Sequence, residues 1–486
     1  MNLLHSSRRA FLQTGGLLAA GAVLSPRAWA QVPGANDAIR IGMIGLNGRG
    51  AGLLKVFRQV KGVRIVALCD VNREVLQRAE KTFKEKRESV RTYEDLREML
   101  PQADVDAVVI ATPHHQHALQ AVWACQAGKD VYVEKPVSHN IWEGRQLVAA
   151  AEKYHRIVQA GMQSRSRGAI RDAVEWVTAG NLGRIVSARG LCYKRRASIG
   201  KTAGPQPIPE TVNYDLWLGP APHAPLRRKN LNYDWHWQWA TGNGDLGNQG
   251  VHEMDIARWF LGERGAPPHT LSVGGRLGYE DDGETANTQV ILHEYARAPL
   301  IFEVRGLPNK PDTEKMDEYR GASVGVVVTC EGGSVVVDAR RVEAFDREGQ
   351  SLREFKAHKG DFLMGHFQNF LDVVRSRKTD RLNAPIAVGH VSSALCHLGN
   401  ISQRLGKPSR GGQTREKIQG NAALAEAVAR MEEHLVANRM DLKNAPVAMA
   451  AHLTFDGATE KFVANADANA LLTREYRKAF VVPKLA

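Results

Sequence analysis

Cysteine is scarce in this sequence: Cys69, Cys125, Cys192, Cys330 and Cys396 are the five in 486 residues, and no two form a Cys-x-x-Cys pair. That spacing excludes zinc fingers and dithiol redox centres, and it builds no disulfide framework. Cys69 ends an apolar run, and Cys125 and Cys396 sit in helix-like patterns, so they read as small buried hydrophobes. Beyond residue 30 no run is long and apolar enough for a bilayer span, which takes about 20 residues, so no stable membrane anchor is expected. An RNP-like aromatic strand and a long basic run are also missing, so nucleic acid is not an expected partner despite a formal charge of +13. Setting aside Arg8, Arg9 and Arg27, which fall in a segment expected to be removed, lowers that charge to +10. Such a balance suits an acidic ligand, or simply a basic solvated surface.

What is present begins with an address. Ser7-Arg8-Arg9-Ala10-Phe11-Leu12-Gln13 precedes an apolar stretch over residues 17–24, followed by Ala28-Trp29-Ala30. A paired-arginine region, a short apolar core and an Ala-x-Ala site resemble a twin-arginine export signal over 1–30. The expected partner is the twin-arginine machinery, and the expected location is the periplasm. Substrates of that route cross the membrane folded, which suits a protein that acquires a cofactor in the cytoplasm.

Residues 38–160 read as a dinucleotide-binding Rossmann domain. Arg40-Ile41-Gly42-Met43-Ile44 forms a buried strand that runs into Gly45-Leu46-Asn47-Gly48-Arg49-Gly50, and a helical pattern through Phe57 follows. The next apolar run, Val63 to Cys69, ends at Asp70, twenty residues beyond Gly50. Small residues let a pyrophosphate approach the backbone at a helix N-terminus, and the acid binds the adenosine ribose. Asp70 would repel a 2′-phosphate, so NAD is expected rather than NADP. Asn47 stands where the second glycine normally does, and Asn tolerates left-handed angles better than other non-glycine residues.

Two more strands, at 105–111 and 130–133, end at Thr112-Pro113-His114-His115-Gln116-His117 and at Glu134-Lys135-Pro136. Ligands of open α/β sheets sit beyond the carboxyl ends of the strands, so the three turns share one crevice. Expected cofactor contacts are Gly45, Asn47, Gly48, Arg49, Gly50, Asp70, Thr112, Pro113, His114, His117, Glu134 and Lys135. The adjacent proline and helix start do not aim three histidines at one point, so no metal is expected there.

Glu134-Lys135-Pro136 after a Rossmann strand, and Gly247-Asn248-Gln249-Gly250-Val251-His252-Glu253-Met254-Asp255 downstream, resemble the motifs of the glucose-fructose oxidoreductase, inositol dehydrogenase and rhizopine catabolism (Gfo/Idh/MocA) family. The resemblance runs over roughly residues 38–406. It implies an α/β fold: a Rossmann domain followed by an α+β domain with a mostly antiparallel sheet facing the nicotinamide. It also implies that Lys135 contacts cofactor and substrate hydroxyl and that His252 is the acid/base. Asn248 replaces the family's usual aspartate; Asp245 or Glu253 could supply the missing charge. Alcohol oxidation needs these types of group: a lysine beside a positive ring has a lowered pKa, and a histidine titrates near neutrality.

From residue 161 to 410 short alternating strands separated by charged turns suggest the second, antiparallel sheet. Its first long strand leads into Tyr193, Lys194, Arg195 and Arg196, an anion-binding cluster or a solvated turn. Trp235, His236 and Trp237, continued by Trp239, are either a platform for a sugar face or the core face of a strand. Residues 411–486 are expected to pack on the body or on a neighbouring subunit, and a homo-oligomer is expected.

An exported dehydrogenase that released its reduced cofactor would stop after one turnover, because no nicotinamide pool is expected outside the cytoplasm. The cofactor is therefore expected to stay tightly bound. Two enzymes meet that condition: an oxidoreductase acting on a sugar, glycoside or cyclitol hydroxyl, and a redox-neutral glycoside-cleaving enzyme. A non-catalytic Rossmann scaffold is the third alternative.

Overall fold

A computed structural model describes residues 38–358, 360, 362–409, 418, 420–443, 447–449 and 452–486. The export signal expected over 1–30 lies outside the described residues. The fold is α/β. Strands β1 (Ile39–Ile44), β2 (Val63–Cys69), β3 (Arg91–Tyr93), β4 (Ala107–Ile110), β5 (Asp130–Val133) and β6 (Val158–Ala160) form a parallel sheet in the order β3-β2-β1-β4-β5-β6. Every residue of β4, β5 and β6 is buried. Helices cover both faces of such a sheet, which is why these strands read as nearly unbroken apolar runs.

Helices α1 (Arg49–Phe57), α2 (Arg73–Lys84), α3 (His117–Gln126) and α4 (Ile141–Lys153) follow β1, β2, β4 and β5. Asn72 opens α2 by accepting the Glu74 amide, and Asn140 opens α4 by accepting that of Glu143. Each cap satisfies an amide that the first helical turn leaves unpaired.

The second domain centres on a mixed sheet. In chain order its main strands are β7 (Ile185–Tyr193), β8 (His269–Gly275), β9 (Thr288–Glu294), β10 (Leu300–Arg305), β11 (Val324–Cys330), β12 (Gly333–Asp338), β13 (Val342–Phe345), β14 (Ser351–Glu354), β15 (Lys407–Ser409) and β16 (Val447–Met449). Their order is β14-β13-β12-β11-β7-β10-β9-β8-β16-β15, antiparallel except for the parallel pair β7–β10. Helix α5 (Val251–Leu261), which carries the histidine motif, packs on the face of β7 turned to the Rossmann domain.

Two features depart from the boundaries read in the sequence. Helix α6 (Leu363–Ser376), which lies inside 161–410, returns to the Rossmann sheet and packs Phe367 and Phe370 against Phe57 and Tyr132. Ring centroids of Phe57 and Phe367 are 4.7 Å apart. Helix α7 (Ile386–Arg404) likewise sets Ala394, Leu398 and Ile401 against Ile141 of α4. From residue 420 on, the described residues contact the rest of the chain. Helix α8 (Ala422–Ala437) covers the outer face of the mixed sheet, β16 extends its edge, and residues 474–486 cross to the Rossmann domain.

Candidate active site

The turn after β1 closes tightly. Gly45 has φ 80°, and a Cβ there would lie 2.8 Å from the Ala111 backbone. A Cβ on Gly50 would come within 1.9 Å of the Gly45 carbonyl oxygen, so α1 can begin this close to β1 only with glycine. The positive φ at the middle of the turn falls on Gly48, at 49°, so Asn47 needs no left-handed backbone. Space above Gly48 is open, and α1 starts without a side-chain cap. Its first amides are thus available to an anion.

Asp70 stands at the carboxyl end of β2. Its carboxylate accepts the Leu46 amide at 2.8 Å and the Asn72 amide at 2.9 Å, which holds it at the cavity wall. Burial raises its pKa above the ordinary carboxylate value. A cavity of about 320 Å³ runs from the glycine turn past Asp70, Thr112, Pro113 and His114 to Glu134, Lys135 and Asn248. An uncapped helix start, open space over a glycine and a carboxylate at the end of β2 fit a dinucleotide.

At its inner end the chemistry concentrates. Glu134 is buried and pairs with Arg49 at 2.8 Å. Burial works against its charge, but Arg49 and Lys135 outweigh that and hold its pKa below the ordinary value. Lys135 donates to the Asn248 carbonyl oxygen at 2.6 Å, and burial lowers its pKa. A second cavity, of about 690 Å³, lies against the mixed sheet and is lined by Gln163, Gln249, His252 and Glu253 among others. The two cavities share Arg49, Glu134, Lys135 and Asn248.

His252 projects from the first turn of α5, with its Nδ1 buried and unpartnered. Burial, followed by the charge of Lys135, drives its pKa down to about 3, so the ring is neutral. Glu253 accepts from Gln249 at 3.1 Å through Oε1, while its buried Oε2 has no partner. Burial pushes its pKa up to about 8, so the carboxyl is mainly protonated at neutral pH. Asp245 is committed elsewhere, in a forked pair with Arg196 at 2.7 Å. Asn248 does not turn its side chain to His252: its amide nitrogen faces the Tyr233 hydroxyl at 3.4 Å, and its backbone holds Lys135.

Several expected contacts move. Tyr193 lies on the outer face of the mixed sheet, where it donates to Glu303 beneath α8, so it does not reach either cavity. Arg195 points to solvent and pairs with Glu314 at 3.0 Å. Lys194 reaches the second cavity only through Gln249, to which it donates at 3.0 Å. Residues 234–237 form a 3₁₀ turn rather than a strand, so Trp235 and Trp237 do not share a strand face. Trp235 and His236 stack at 3.6 Å and line the dinucleotide cavity, not the second one. Trp237 is buried under Arg196 and lines neither.

His114 meets Trp235 edge-on at 4.8 Å, and His117 lines the same cavity with its ring nitrogens at the Pro136 and Thr112 carbonyls, 2.7 and 2.6 Å away. Gln163 was not anticipated. It donates to Glu134 at 2.9 Å and to Tyr132 at 2.7 Å, and its place just past β6 is the signal that could have found it. Among the described residues one group suits a metal ion: His269, Glu294 and His452, whose ligand atoms lie within 4.8 Å of one another. It lines neither cavity.

Comparison with known proteins agrees with this fold. Residues 39–162 match the family model described as "Oxidoreductase family, NAD-binding Rossmann fold" (GFO_IDH_MocA), and residues 174–301 match its companion "Oxidoreductase family, C-terminal alpha/beta domain". A glycosyl hydrolase family 109 protein of Shewanella sp. (strain ANA-3) is 40% identical over 125 residues, 25% of this chain and 27% of that protein. An alpha-N-acetylgalactosaminidase of Shewanella oneidensis is 36% identical over 122 residues, 24% of this chain and 27% of that protein. These alignments thus span about a quarter of the length of the curated relatives. Among solved structures, the WlbA dehydrogenase from Bordetella pertussis in complex with NADH and UDP-GlcNAcA superposes with TM-score 0.56 at 21% identity, over 76% of this chain and 95% of that one. An Agrobacterium radiobacter oxidoreductase in complex with NAD+, L-tartaric acid and magnesium gives TM-score 0.54 at 16% identity, over 74% and 94%.

Proposed function

The chain belongs to the Gfo/Idh/MocA oxidoreductase family, and from that premise we propose that it is an NAD-dependent enzyme acting on a sugar, glycoside or cyclitol hydroxyl with its cofactor kept bound. One observation carries the reading: the cavity fit for a dinucleotide and the cavity against the sheet meet at Lys135. Held by the turn over residues 45–50 and by Asp70, NAD would supply the hydride acceptor for the alcohol carbon and, in a redox-neutral cycle, the hydride donor.

The chain's own groups handle the proton and the geometry. Asp70 accepts hydrogen bonds from the adenosine ribose. Lys135, pinned by the Asn248 carbonyl, presents its remaining donors to the substrate oxygen. Neutral His252 lines the second cavity beside Lys135 and is the ring available to hold the hydroxyl proton. Glu134 is buried and Lys135 half-buried at the point where the cavities join.

Glu253 favours a second reading. A carboxyl held protonated at neutral pH on the wall of the second cavity can give its proton to a departing glycosidic oxygen. The names of the aligned relatives point the same way. Redox-neutral cleavage therefore stands beside net oxidation.

We also infer export to the periplasm from the twin-arginine pattern at Arg8 and Arg9. Among the described residues no helix is long and apolar enough to cross a membrane.

The deciding experiment identifies the nucleotide released from the purified protein, then offers glycosides and free sugars in single turnover. Net oxidation leaves reduced cofactor until a second substrate is added. Cleavage releases an aglycone and restores the oxidised form. A protein that neither retains nor binds a nicotinamide nucleotide would be a non-catalytic scaffold.

A further inference from the structure

The end of the dinucleotide cavity remote from Lys135 lies past Asp70, where Asp95, Leu96, Gln120 and Trp123 line it together with one residue from the far end of the chain, Phe480. Phe480 is buried against Leu119 and Trp123, with ring centroids of Phe480 and Trp123 6.3 Å apart. The Arg477 and Arg97 guanidinium groups lie 4.8 Å and 5.2 Å from its ring centroid.

The segment that delivers Phe480 is tied to both walls. Arg474 pairs with Glu143 at 2.8 Å and donates to the His115 carbonyl at 2.9 Å on the Rossmann side, and to the Ala240 carbonyl at 3.2 Å on the other. Arg477 binds Asp215, next to Leu216 and Trp217 of the opposite wall, and the Leu485 amide donates to Gln146 at 2.5 Å.

We infer that residues 474–485 complete the adenine end of the dinucleotide site, with Phe480 supplying an aromatic wall for the base. The inference rests on the dinucleotide reading above and deepens it. With the glycine turn at the pyrophosphate and Asp70 at the ribose, adenine is the part of the ligand left to occupy the space beyond Asp70. A flat aromatic ring there suits adenine, which can lay its π-face or edge against it. Closure by a segment anchored on both walls also opposes release of the ligand, which an enzyme working away from a nucleotide pool requires.

The test compares NAD with nicotinamide mononucleotide, which lacks the adenosine, on the full chain after its bound nucleotide has been removed. Phe480→Ala should raise the NAD dissociation constant and dissociation rate about 10- to 100-fold, the scale of losing one base–aromatic stack. The mononucleotide should bind as before, and Phe480→Tyr, which keeps the ring, should restore NAD binding. Should Phe480→Ala not fold, Arg477→Ala removes one tie and one cation over the ring, and it should weaken NAD alone. Unchanged NAD binding in the folded variant overturns the proposal, and so does an equal loss for both ligands. If the unmodified protein binds neither ligand, the dinucleotide reading itself falls and takes this wall with it. Selective loss of NAD upholds both.

Discussion

Glu253→Gln keeps the shape of the side chain and removes its titration. The carboxyl moves from an ordinary value of 4.5 to about 8 in the folded protein, with burial as the main cause. A folded pKa above the unfolded one means that the folded state binds the extra proton between those values. The stability contributed by the protonated form is therefore complete below about pH 4.5 and is lost as pH rises through about 8. At 1.36 kcal/mol per pKa unit, 3.5 units amount to about 5 kcal/mol across that window. The amide pays a pH-independent cost where the buried Oε2 lacks a partner. What the experiment reads is therefore the slope, not the offset. Denaturant unfolding of both proteins from about pH 5 to about pH 9 should show the native chain losing stability relative to Glu253→Gln by about 1.4 kcal/mol per pH unit until about pH 8. Parallel curves over that range would refute the reasoning, because the carboxyl would then be ionised in the folded protein or reached by water.

Asp70→Ala should weaken NAD and narrow its advantage over NADP, measured as the ratio of dissociation constants; an unmodified protein that prefers NADP would contradict the assignment. Lys135→Ala and His252→Ala should each lower the single-turnover rate by about 10²–10⁴, the scale of losing a positioned proton-transfer group, while His252→Ala retains bound nucleotide. Asn248→Asp should leave the pH dependence attributed to His252 in place, since the side chain faces Tyr233; a shifted profile would show that the two residues interact. Arg8→Lys with Arg9→Lys should abolish periplasmic recovery without changing the folded protein, and undiminished recovery would remove the export assignment.

Four of the six parallel strands, β1, β2, β4 and β5, were legible because they are largely buried, whereas β3 is short and exposed and β6 has only three residues. Val63 to Cys69 and Asp130 to Val133 appear in the structure with the bounds that their apolar runs suggest. The mixed sheet was legible as strands but not as faces. Cys192 and Tyr193 are both buried, so hydropathy does not distinguish the side that meets the Rossmann domain from the side under α8. Trp235, Trp237 and Trp239 alternate like a strand, yet the chain turns at 234–237 around the Trp235–His236 stack. At the site, Lys135 and His252 could be found by motif, whereas Gln163 and Phe480 owe their places to contacts between distant parts of the chain. Local periodicity carries no information about such contacts.

The return of α6 to the Rossmann sheet bears on the order in which the protein is made. A ribosome that has released residue 160 has produced all six parallel strands, but Phe57 and Tyr132 still lack Phe367 and Phe370. The nucleotide-binding half therefore cannot close its core until residue 376 has emerged, more than two hundred residues later. During that interval its apolar surface is open to chaperones and to misassembly. Completion of the nucleotide-binding domain's core is a late event in the life of the nascent chain.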